Sequence, residues 1–583
     1  METIKLTIDG IEVEVAKGTT VLEAARLAGI EIPTLCFLKE INEIGACRIC
    51  VVELGNGKIV TSCVYPAENG MVVFTKSPRI MDYRKKTLQL LLSNHNRSCL
   101  SCVRSGNCEL QQLSRELGVD DEGFYDGVKT PARYDATAPH LIRDNSKCIL
   151  CRRCIAVCEK NQAVGVIGAN ERGFKTFIGS AFDMDLADTA CVHCGQCIAV
   201  CPTGALREVD DTDKVFAAIA DPDKYVIVQT APAVRAALGE EFGYPIGTDV
   251  EGKMAAALRR LGFDKVFDTD FAADVTIMEE GTEFINRVKN GGKLPIITSC
   301  SPGWIKFCEY NAPDFLENLS TCKSPQNMFG ALAKSYFAEK AGIPKEKIVC
   351  VSVMPCTAKK FEITRPDEDG AGVPDVDISI TTRELARMIK KARINFTALP
   401  DEKFDDPMGE STGAAVIFGA TGGVMEAALR TAYEILTGEE LADVNFTAVR
   451  GIEGVKEATV KVGDLDVNVA VCSGTANAKA LLEKVRSGEK TYHFIEVMCC
   501  PGGCVNGGGQ PQQPGWVRNQ IDLRAERAKA LYGNDAAKAI RKSHENPSVK
   551  KLYEEYLGEP GSEKAHHLLH TTYVARKIND YNF

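Results

Sequence analysis

Twenty-four cysteines constrain this 583-residue sequence more than any other feature. The first residues, Met1 to Lys5, do not start the basic and then apolar segment of a secretory signal. In a large chain without an export signal, most of these cysteines should remain thiols. Free thiols in such number predict bound metal. Fifteen of them lie before residue 202, and the other nine are scattered from Cys300 to Cys504.

The composition is that of a globular protein in water. Hydrophobic residues make up 45% and charged residues 25%, which excludes disordered and fibrous classes. A net charge of −10 argues against a surface for nucleic acid or anionic membrane. No apolar run approaches the roughly 18 residues of a membrane span. The length predicts about four domains, and the lack of a leader predicts a cytoplasmic location.

The strongest motif is a pair of cysteine runs, each spaced C-x2-C-x2-C-x3-C. In such runs three thiolates hold one cubane and the fourth reaches the other cluster. A pair of zinc ribbons is the alternative, and two complete runs argue against it. The predicted [4Fe-4S] ligand sets are Cys148, Cys151, Cys154 and Cys201 for cluster one, and Cys191, Cys194, Cys197 and Cys158 for cluster two.

A small α+β unit precedes these runs. Alternating apolar residues around Asp9-Gly10 predict a hairpin, and Thr20 with Glu23 predicts a capped helix that ends near Ala28. Four thiolates with one tight pair suit a [2Fe-2S] cluster, but the spacing alone leaves zinc open. The predicted ligands are Cys36, Cys47, Cys50 and Cys63.

A third ligand set combines one imidazole with three thiolates. Its spacing fits a structural zinc site as well as an iron–sulfur cluster, so the residues alone do not decide between them. The set is His95, Cys99, Cys102 and Cys108.

From about Tyr225 the sequence alternates strand and helix patterns, which favours α/β architecture with largely parallel sheets. The apolar segments include Leu294–Thr298, Ile348–Val353 and Ala414–Phe418. Cysteines after the first two segments and a C-x3-C in a glycine-rich loop should converge on one buried site. After about Asn519 the sequence predicts helices.

The first 210 residues resemble the N-terminal part of the large iron–sulfur subunit of respiratory complex I and of clostridial-type [FeFe]-hydrogenases. Three later segments resemble the signature segments of [FeFe]-hydrogenases in order and separation: Thr298–Trp304, Met354–Glu362 and Glu496–Gly509. The resemblance covers essentially the whole chain and implies a multidomain protein with α+β and α/β parts. The implied domains are a β-grasp [2Fe-2S] domain (1–80), a small [4Fe-4S] domain with one His and three Cys ligands (81–125), a two-[4Fe-4S] ferredoxin-like domain (138–210), a large α/β H-cluster domain (222–518) and a helical C-terminal tail (519–583).

The resemblance also implies one [2Fe-2S] cluster, three accessory [4Fe-4S] clusters and an H-cluster. The H-cluster is a [4Fe-4S] cubane joined through a thiolate to a di-iron unit with CO, cyanide and a bridging dithiolate. By the same resemblance, His95 and its three cysteines hold a [4Fe-4S] cluster. The neutral imidazole should raise the reduction potential of this cluster relative to one with four cysteine ligands. The implied H-cluster residues are Cys356, Cys500 and Cys504 as cubane ligands, with Cys504 bridging, Lys359 on a cyanide, Met354 and Met498 as an apolar wall, and Ala231, Pro232 and Gln326 completing the pocket.

One position departs from the family pattern. The first signature segment usually has two cysteines, of which the first relays protons and the second ligates the cubane, whereas this chain has Cys300-Ser301. Iron prefers a thiolate to an alkoxide. Either Cys300 shifts to become the ligand and leaves Ser301 in the proton path, or Ser301 ligates and Cys300 relays. The chemistry favours Cys300 as the ligand.

The rest of the proton route follows from the resemblance, which matches Glu280, Glu283, Ser320 and Arg287. The two glutamates and Arg287 would share one helix face. Their spacing alone also fits a solvated helical surface. Five cysteines are left without a role: Cys308, Cys322, Cys350, Cys472 and Cys499.

The predicted function is that of an [FeFe]-hydrogenase, which interconverts H2 with protons and electrons that four accessory clusters relay. We favour a catalytic subunit of an NAD(P)-linked complex, because of Cys300-Ser301 and His566-His567, over a free-standing ferredoxin hydrogenase. The sequence carries no flavin or dinucleotide motif, so nicotinamide reduction needs flavin-containing partner subunits. Maturation proteins would supply the di-iron unit. A hydrogen sensor or non-catalytic electron carrier is the alternative from another class.

Overall fold

The computed structural model describes residues 2–119, 125–462 and 465–577. Residues 120–124 of the predicted second domain and residues 578–583 of the predicted tail lie outside the described residues. Within the described ranges, none of the helices combines the length and the apolar character needed to cross a membrane.

The N-terminal domain is a five-stranded sheet with one helix. Its elements are β1 (Thr3–Ile8), β2 (Ile11–Ala16), α1 (Val21–Leu27), β3 (Val51–Leu54), β4 (Ile59–Thr61) and β5 (Val72–Phe74). The strand order is β2-β1-β5-β3-β4, and only the β1–β5 pair is parallel. The Thr20 hydroxyl caps α1 by accepting the Glu23 N–H, as the sequence predicts.

The next eleven cysteines lie mostly in loops between short elements that follow one longer helix. These are α2 (Pro78–Asn94), α3 (Glu109–Glu116), β6 (Tyr134–Asp135), β7 (Leu141–Asp144), α4 (Arg153–Ala156), β8 (Gly168–Asn170), β9 (Phe177–Gly179), α5 (Gln196–Val200) and β10 (Leu206–Glu208). Strands β10, β7 and β6 form one antiparallel sheet, and β8 pairs with β9. Two small hydrophobic cores, which include several of the predicted ligand cysteines, hold these elements together.

The body contains two four-stranded sheets. Their strands are β11 (Tyr225–Thr230), β12 (Lys265–Asp268), β13 (Ile296–Ile297), β14 (Ile348–Met354), β15 (Ile378–Thr381), β16 (Val455–Val462), β17 (Leu465–Ser473) and β18 (Phe494–Met498). One sheet is wholly parallel in the order β12-β11-β14-β15, and the other has the order β13-β18-β17-β16 with only β16 antiparallel. Strand β11 is buried along nearly its whole length, because helices cover both faces of the parallel sheet.

Helices cover these sheets and form the tail. In the body they are α6 (Thr212–Ala220), α7 (Pro232–Arg235), α8 (Glu251–Leu261), α9 (Thr269–Asn290), α10 (Pro302–Asn311), α11 (Pro325–Leu332), α12 (Ala338–Ala341), α13 (Lys359–Glu362), α14 (Thr382–Lys391), α15 (Gly413–Val416), α16 (Gly423–Thr437), α17 (Thr475–Arg486) and α18 (Gly515–Arg518). The tail has α19 (Leu523–Ala537), α20 (Pro547–Leu552) and α21 (Glu563–Leu569). The apolar segment Ala414–Phe418 is helical, and the segment Leu294–Thr298 contributes only the two residues of β13.

The tail packs against the body and does not extend from it. The guanidinium of Arg527 on α19 pairs with Glu240 at 2.7 Å and donates to the Val505 carbonyl at 2.9 Å. At the other end, Lys323 donates its backbone N–H to the Leu569 carbonyl. The tail is therefore part of the packing around the third signature segment.

Candidate active site

One buried cavity lies where strands of both body sheets end. Ala231 and Pro232 follow β11, Met354 ends β14, and Met498 ends β18. The carboxyl ends of parallel strands meet at one edge, which is where α/β proteins place their sites. The cavity brings together eleven predicted residues: Ala231, Pro232, Cys300, Ser301, Gln326, Met354, Cys356, Lys359, Met498, Cys500 and Cys504.

The glycine-rich loop closes the cavity by close backbone packing. Gly503 has a φ of +94°, and a Cβ built there would lie 2.6 Å from the Thr421 backbone nitrogen. A Cβ at Gly507 would lie 2.1 Å from the Pro355 carbonyl oxygen. Only glycine allows the loop to carry Cys504 so close to the end of β14.

The three predicted cubane ligands, Cys356, Cys500 and Cys504, line the same cavity, with Cys500 buried and the other two half-buried. Burial and the neighbouring Cys500 raise the pKa of the Cys504 thiol to about 12. Burial, together with the nearby thiols of Cys500 and Cys504, raises the pKa of the Cys356 thiol as well. Thiols with a raised pKa stay protonated near neutral pH while no metal is bound. They become ligands when a metal ion displaces their protons. The donor set therefore fits an iron–sulfur cubane.

A single buried carboxylate orients two of the pocket residues. The Lys359 Nζ lies 2.7 Å from the Glu362 Oε2 and 3.3 Å from the Cys300 carbonyl oxygen. The same Glu362 oxygen accepts from the Gln326 amide and the Ser324 hydroxyl, each at 2.8 Å. Sequence reasoning missed Glu362, although its place three residues after Lys359 on a helix was a usable signal.

The side chains of Cys300 and Ser301 face different neighbours. Burial raises the pKa of the Cys300 thiol well above its usual range, and the next strongest effect comes from Glu280. The Ser301 hydroxyl oxygen instead accepts the backbone N–H of Cys499, next to Cys500. Both residues line the cavity, with the Cys300 thiol influenced by Glu280 and the Ser301 hydroxyl bonded to the residue before Cys500.

The predicted proton-route residues lie in one cluster beside the cavity, with Glu280 and Ser320 buried and Glu283 and Arg287 half-buried. Glu280 is 2% exposed, so the solvated-surface alternative does not hold. Burial, with a further contribution from Glu283, raises the Glu280 pKa to about 8. The Ser320 hydroxyl donates to Glu283 at 2.9 Å, and Arg287 pairs with the same carboxylate at 2.5 Å. Hydrogen bonds thus link Ser320, Glu283 and Arg287, and Glu280 lies near enough to Cys300 to raise the pKa of its thiol.

None of the four accessory ligand sets forms a compact group of ligand atoms in the described ranges, although Cys191 belongs to one with His140 and His193. Zn–S bonds of roughly 2.3 Å in a tetrahedron put ligand sulfurs about 3.8 Å apart. Three groups of Cys, His, Asp or Glu in the described ranges bring their ligand atoms within 4.8 Å of one another, and no predicted cluster set is among them. All four cysteines of cluster one line one small cavity, as a cubane requires.

The N-terminal set divides into two pairs. The Cys50 and Cys63 sulfurs lie 3.2 Å apart, and the Cys36 and Cys47 thiols interact directly with each other. Two pairs suit two irons better than one tetrahedral ion. Near the third set, burial and Lys147 lower the His95 pKa to about 4, which leaves a neutral imidazole ready to ligate.

Side chains link successive ligand sets. The Asn42 amide donates to the carbonyls of Cys36 and Cys151 at 2.8 and 3.0 Å. A Cβ on Gly204 would lie 2.6 Å from the Cys102 sulfur, so the third set borders cluster one. The Thr357 hydroxyl donates to the His193 carbonyl at 2.8 Å, which ties cluster two to the cavity.

The four other cysteines left without a role are fully buried core residues: Cys308, Cys322, Cys350 and Cys472. Cys499 differs, because it lines the cavity. Phe418 and Pro325 also line it and were not predicted to do so. Their contribution depends on how distant segments fold together, which local sequence patterns do not report.

Five family models match successive segments of the chain. They are the 2Fe-2S iron-sulfur cluster binding domain (1–78), the NADH-ubiquinone oxidoreductase-G iron-sulfur binding region (84–122), the 4Fe-4S dicluster domain (147–205), the C-terminal domain of the iron only hydrogenase large subunit (224–508) and the iron hydrogenase small subunit (521–576). The last match gives the helical tail a family relationship that its sequence pattern did not reveal.

Similar proteins match over their full length. The NADP-reducing hydrogenase subunit HndD of Solidesulfovibrio fructosivorans is 54% identical over 99% of this chain and 100% of its own. Iron hydrogenase 1 of Clostridium pasteurianum is 44% identical over 98% and 100%. A solved structure of the apo [FeFe]-hydrogenase HydA1 of Chlamydomonas reinhardtii is 43% identical, with a TM-score of 0.56 over 63% of this chain and 99% of that chain.

Proposed function

The chain belongs to the iron-only, or [FeFe]-, hydrogenase family as a catalytic subunit with accessory iron–sulfur domains, and from this premise we propose that its active site is the cavity around Cys356, Cys500 and Cys504. The observation that carries the proposal is the convergence of eleven expected residues on that cavity. The reaction is the interconversion of H2 with two protons and two electrons.

The residues of the cavity fit an H-cluster. Cys356, Cys500 and Cys504 would hold its cubane, and Cys504 would also reach the di-iron unit. When bound, the H-cluster supplies the redox-active metal at which H2 is made or split. The chain contributes a fixed ammonium at Lys359 for an anionic ligand, and an apolar, polarizable wall that includes Met354 and Met498 and excludes water.

Protons are handed along the chain's own side chains. We assign the relay to Cys300, Glu280, Ser320 and Glu283, in that order towards the surface. The raised pKa of Glu280 supports this role, because a group that titrates near neutral pH both accepts and releases protons readily. Arg287 acts as a positioning residue for Glu283. It pairs with the Glu283 carboxylate and is itself held by a hydrogen bond that it donates to the Leu319 carbonyl at 2.8 Å.

Electrons pass through four accessory clusters in a branched order. The contacts through Asn42 and Gly204 support two entry sites, the [2Fe-2S] cluster and the His95 cluster, which both lead to cluster one. Cluster two then connects cluster one with the cavity. We retain the five domain ranges predicted from the sequence as the units of this relay.

We propose that the electron partner is a set of flavin-containing, NAD(P)-binding subunits. The full-length similarity to a subunit named NADP-reducing hydrogenase supports this choice. The full-length similarity to iron hydrogenase 1 keeps a ferredoxin-linked, free-standing enzyme as the second candidate. An anaerobic pull-down from the native host decides: co-purifying flavoprotein subunits support the complex, and a chain recovered alone supports the ferredoxin-linked enzyme.

Hydrogen evolution tests the catalytic proposal. The chain is expressed with its iron–sulfur clusters, loaded with the di-iron unit by maturation proteins and assayed with reduced methyl viologen. We expect turnover in the loaded chain and none in the unloaded chain. A loaded chain that shows the CO and cyanide infrared bands but makes no H2 would instead support a sensor or an electron carrier.

A further inference from the structure

Cys499 lines the active-site cavity, yet the proposed function gives it no task. Its side chain is 4% exposed, and the cavity that it lines also contains Cys194 of cluster two and Cys500 of the predicted cubane. Hydrogen bonding to the thiols of Cys194 and Cys500 raises the pKa of the Cys499 thiol, and all three cysteines line the same cavity. One sulfur atom therefore stands between a ligand of the last accessory cluster and a ligand of the active-site cubane.

The Cys499 side chain is held in place by its surroundings. Its backbone N–H donates to the Ser301 hydroxyl oxygen at 3.1 Å. On the opposite helix, Gly303 leaves the room that the thiol occupies, because a Cβ built at Gly303 would lie 2.7 Å from the Cys499 sulfur. The absence of a side chain at Gly303 therefore leaves the space that the Cys499 sulfur fills.

The thiol has one proton to donate, and three acceptors surround it. The Gln162 Oε1 lies 3.7 Å from the sulfur, but it already accepts from the Thr475 hydroxyl at 2.7 Å and the Thr475 N–H at 3.3 Å. Cys194 and Cys500 become thiolates when their clusters are bound. Ionised acceptors form the stronger hydrogen bonds, so the proton of Cys499 should be directed to a cluster ligand.

We propose that Cys499 is a positioning residue that donates a hydrogen bond to a ligand sulfur between cluster two and the active-site cubane and raises the reduction potential of the cluster that receives it. The proposal rests on the proposed function, since it takes Cys194 and Cys500 as cluster ligands. Hydrogen bonds to the sulfurs are one of the determinants of iron–sulfur potentials. A donor stabilises the reduced cluster, which carries one more negative charge.

This hydrogen bond would set the last step of the electron relay. In the direction of H2 production, cluster two is oxidised by one electron and the cubane is reduced by one electron, while Cys499 keeps its proton. A change in either potential alters the equilibrium of that step without altering the ligand sets. Cys499 would thus influence the direction of the enzyme from outside the reacting atoms.

Redox titration followed by electron paramagnetic resonance tests the proposal on the full chain with all its iron–sulfur clusters and no di-iron unit. In Cys499→Ala we expect the midpoint potential of cluster two or of the cubane to fall. The expected change in the reduction equilibrium constant is roughly threefold to tenfold, where tenfold equals 59 mV for a one-electron couple. Cys499→Ser keeps a donor and should shift the potential less than Cys499→Ala does.

Cys308→Ala is the matched control, because Cys308 is a fully buried thiol of the same hydrophobic cluster and donates to the Ala312 carbonyl at 3.3 Å. It should leave every potential unchanged. Unchanged potentials in Cys499→Ala would overturn the proposal, as would the loss of one cubane from that variant, which would make Cys499 a ligand. Absence of the cluster signals from the unmutated chain would overturn the cofactor assignment instead.

Discussion

The backbone N–H of Cys499 donates to the Ser301 hydroxyl oxygen across 3.1 Å. The amide thus points at the place where a cysteine at position 301 would present a ligand sulfur. Ser301 is also the residue directly before α10, whose first position is Pro302. Because proline fixes its own φ and restricts the residue before it, a register shift that moved Cys300 into this place would have to rebuild the helix start. On this geometry we propose Cys300 as the relay and Ser301 as the residue that faces the cubane, against the expectation from thiolate chemistry alone.

The first prediction concerns this pair. Cys300→Ser should lower H2 turnover by roughly 100-fold or more, since a positioned proton donor contributes factors of that order. Iron content and the infrared bands of CO and cyanide should remain those of the unmutated enzyme. Ser301→Cys should retain activity and bind the cubane at least as firmly, because iron prefers thiolate. Loss of four irons from Cys300→Ser would show instead that Cys300 is the ligand.

The second prediction concerns the carboxylate behind the pocket. Glu362→Gln removes the charge that holds Lys359 at 2.7 Å, and the ammonium should then reorient. Loss of one partner of a buried pair costs about 3–5 kcal/mol, so thermal stability should fall. The cyanide infrared bands should shift as well, since Lys359 is placed to donate to that ligand.

Glu309→Gln is the control for that variant. Glu309 forms a comparably buried pair with Arg365 at 2.7 Å, but neither residue lines the cavity. We expect a similar loss of stability with unchanged infrared bands. Identical band positions in Glu362→Gln and in the unmutated enzyme would contradict the assignment of Lys359 to the cyanide.

The third prediction concerns the outer end of the proton route. Glu283→Gln keeps an acceptor for the Ser320 hydroxyl but cannot take up a proton, so H2 turnover should fall by about 100-fold. Infrared bands and cluster potentials should not move. Arg287→Lys should give a smaller loss, because it keeps a cation beside Glu283 but loses the contact with the Leu319 carbonyl. Equal turnover in all three enzymes would mean that protons leave by another path.

Much of the architecture followed from local patterns. The capped helix α1 and the strand β14 lie where the sequence predicts them, because capping and short apolar runs are local signals. The segment Ala414–Phe418 became helical, since short apolar runs fit a buried helix as well as a strand.

The site was predicted where motifs carry it and missed where tertiary contacts do. Cys356, Cys500 and Cys504 belong to recognisable segments. Glu362 acts through Ser324 and Gln326, which lie nearly forty residues earlier. Cys499 gains its neighbours only when cluster two is folded onto the body. Such roles depend on packing between distant segments, which neither spacing nor periodicity encodes.

The last prediction is a pH dependence of stability caused by Glu368. This residue is 6% exposed, and burial together with the nearby Glu362 raises its pKa to about 8. In the unfolded chain the pKa is near 4.3. Between these values the folded protein holds the extra proton, so the free energy of unfolding falls as pH rises through this window.

Glu368→Gln stays neutral and removes that contribution. Relative to the unmutated protein, the variant should therefore gain about 4 kcal/mol between pH 5 and pH 9. Thermal unfolding followed anaerobically at a fixed scan rate measures the difference, with the exposed Glu346→Gln as a control that should show no such gain. If the curves of Glu368→Gln and the unmutated protein run parallel across this range, Glu368 is already ionised in the folded protein and the Lys323 ammonium, 3.8 Å away, outweighs the cost of burial.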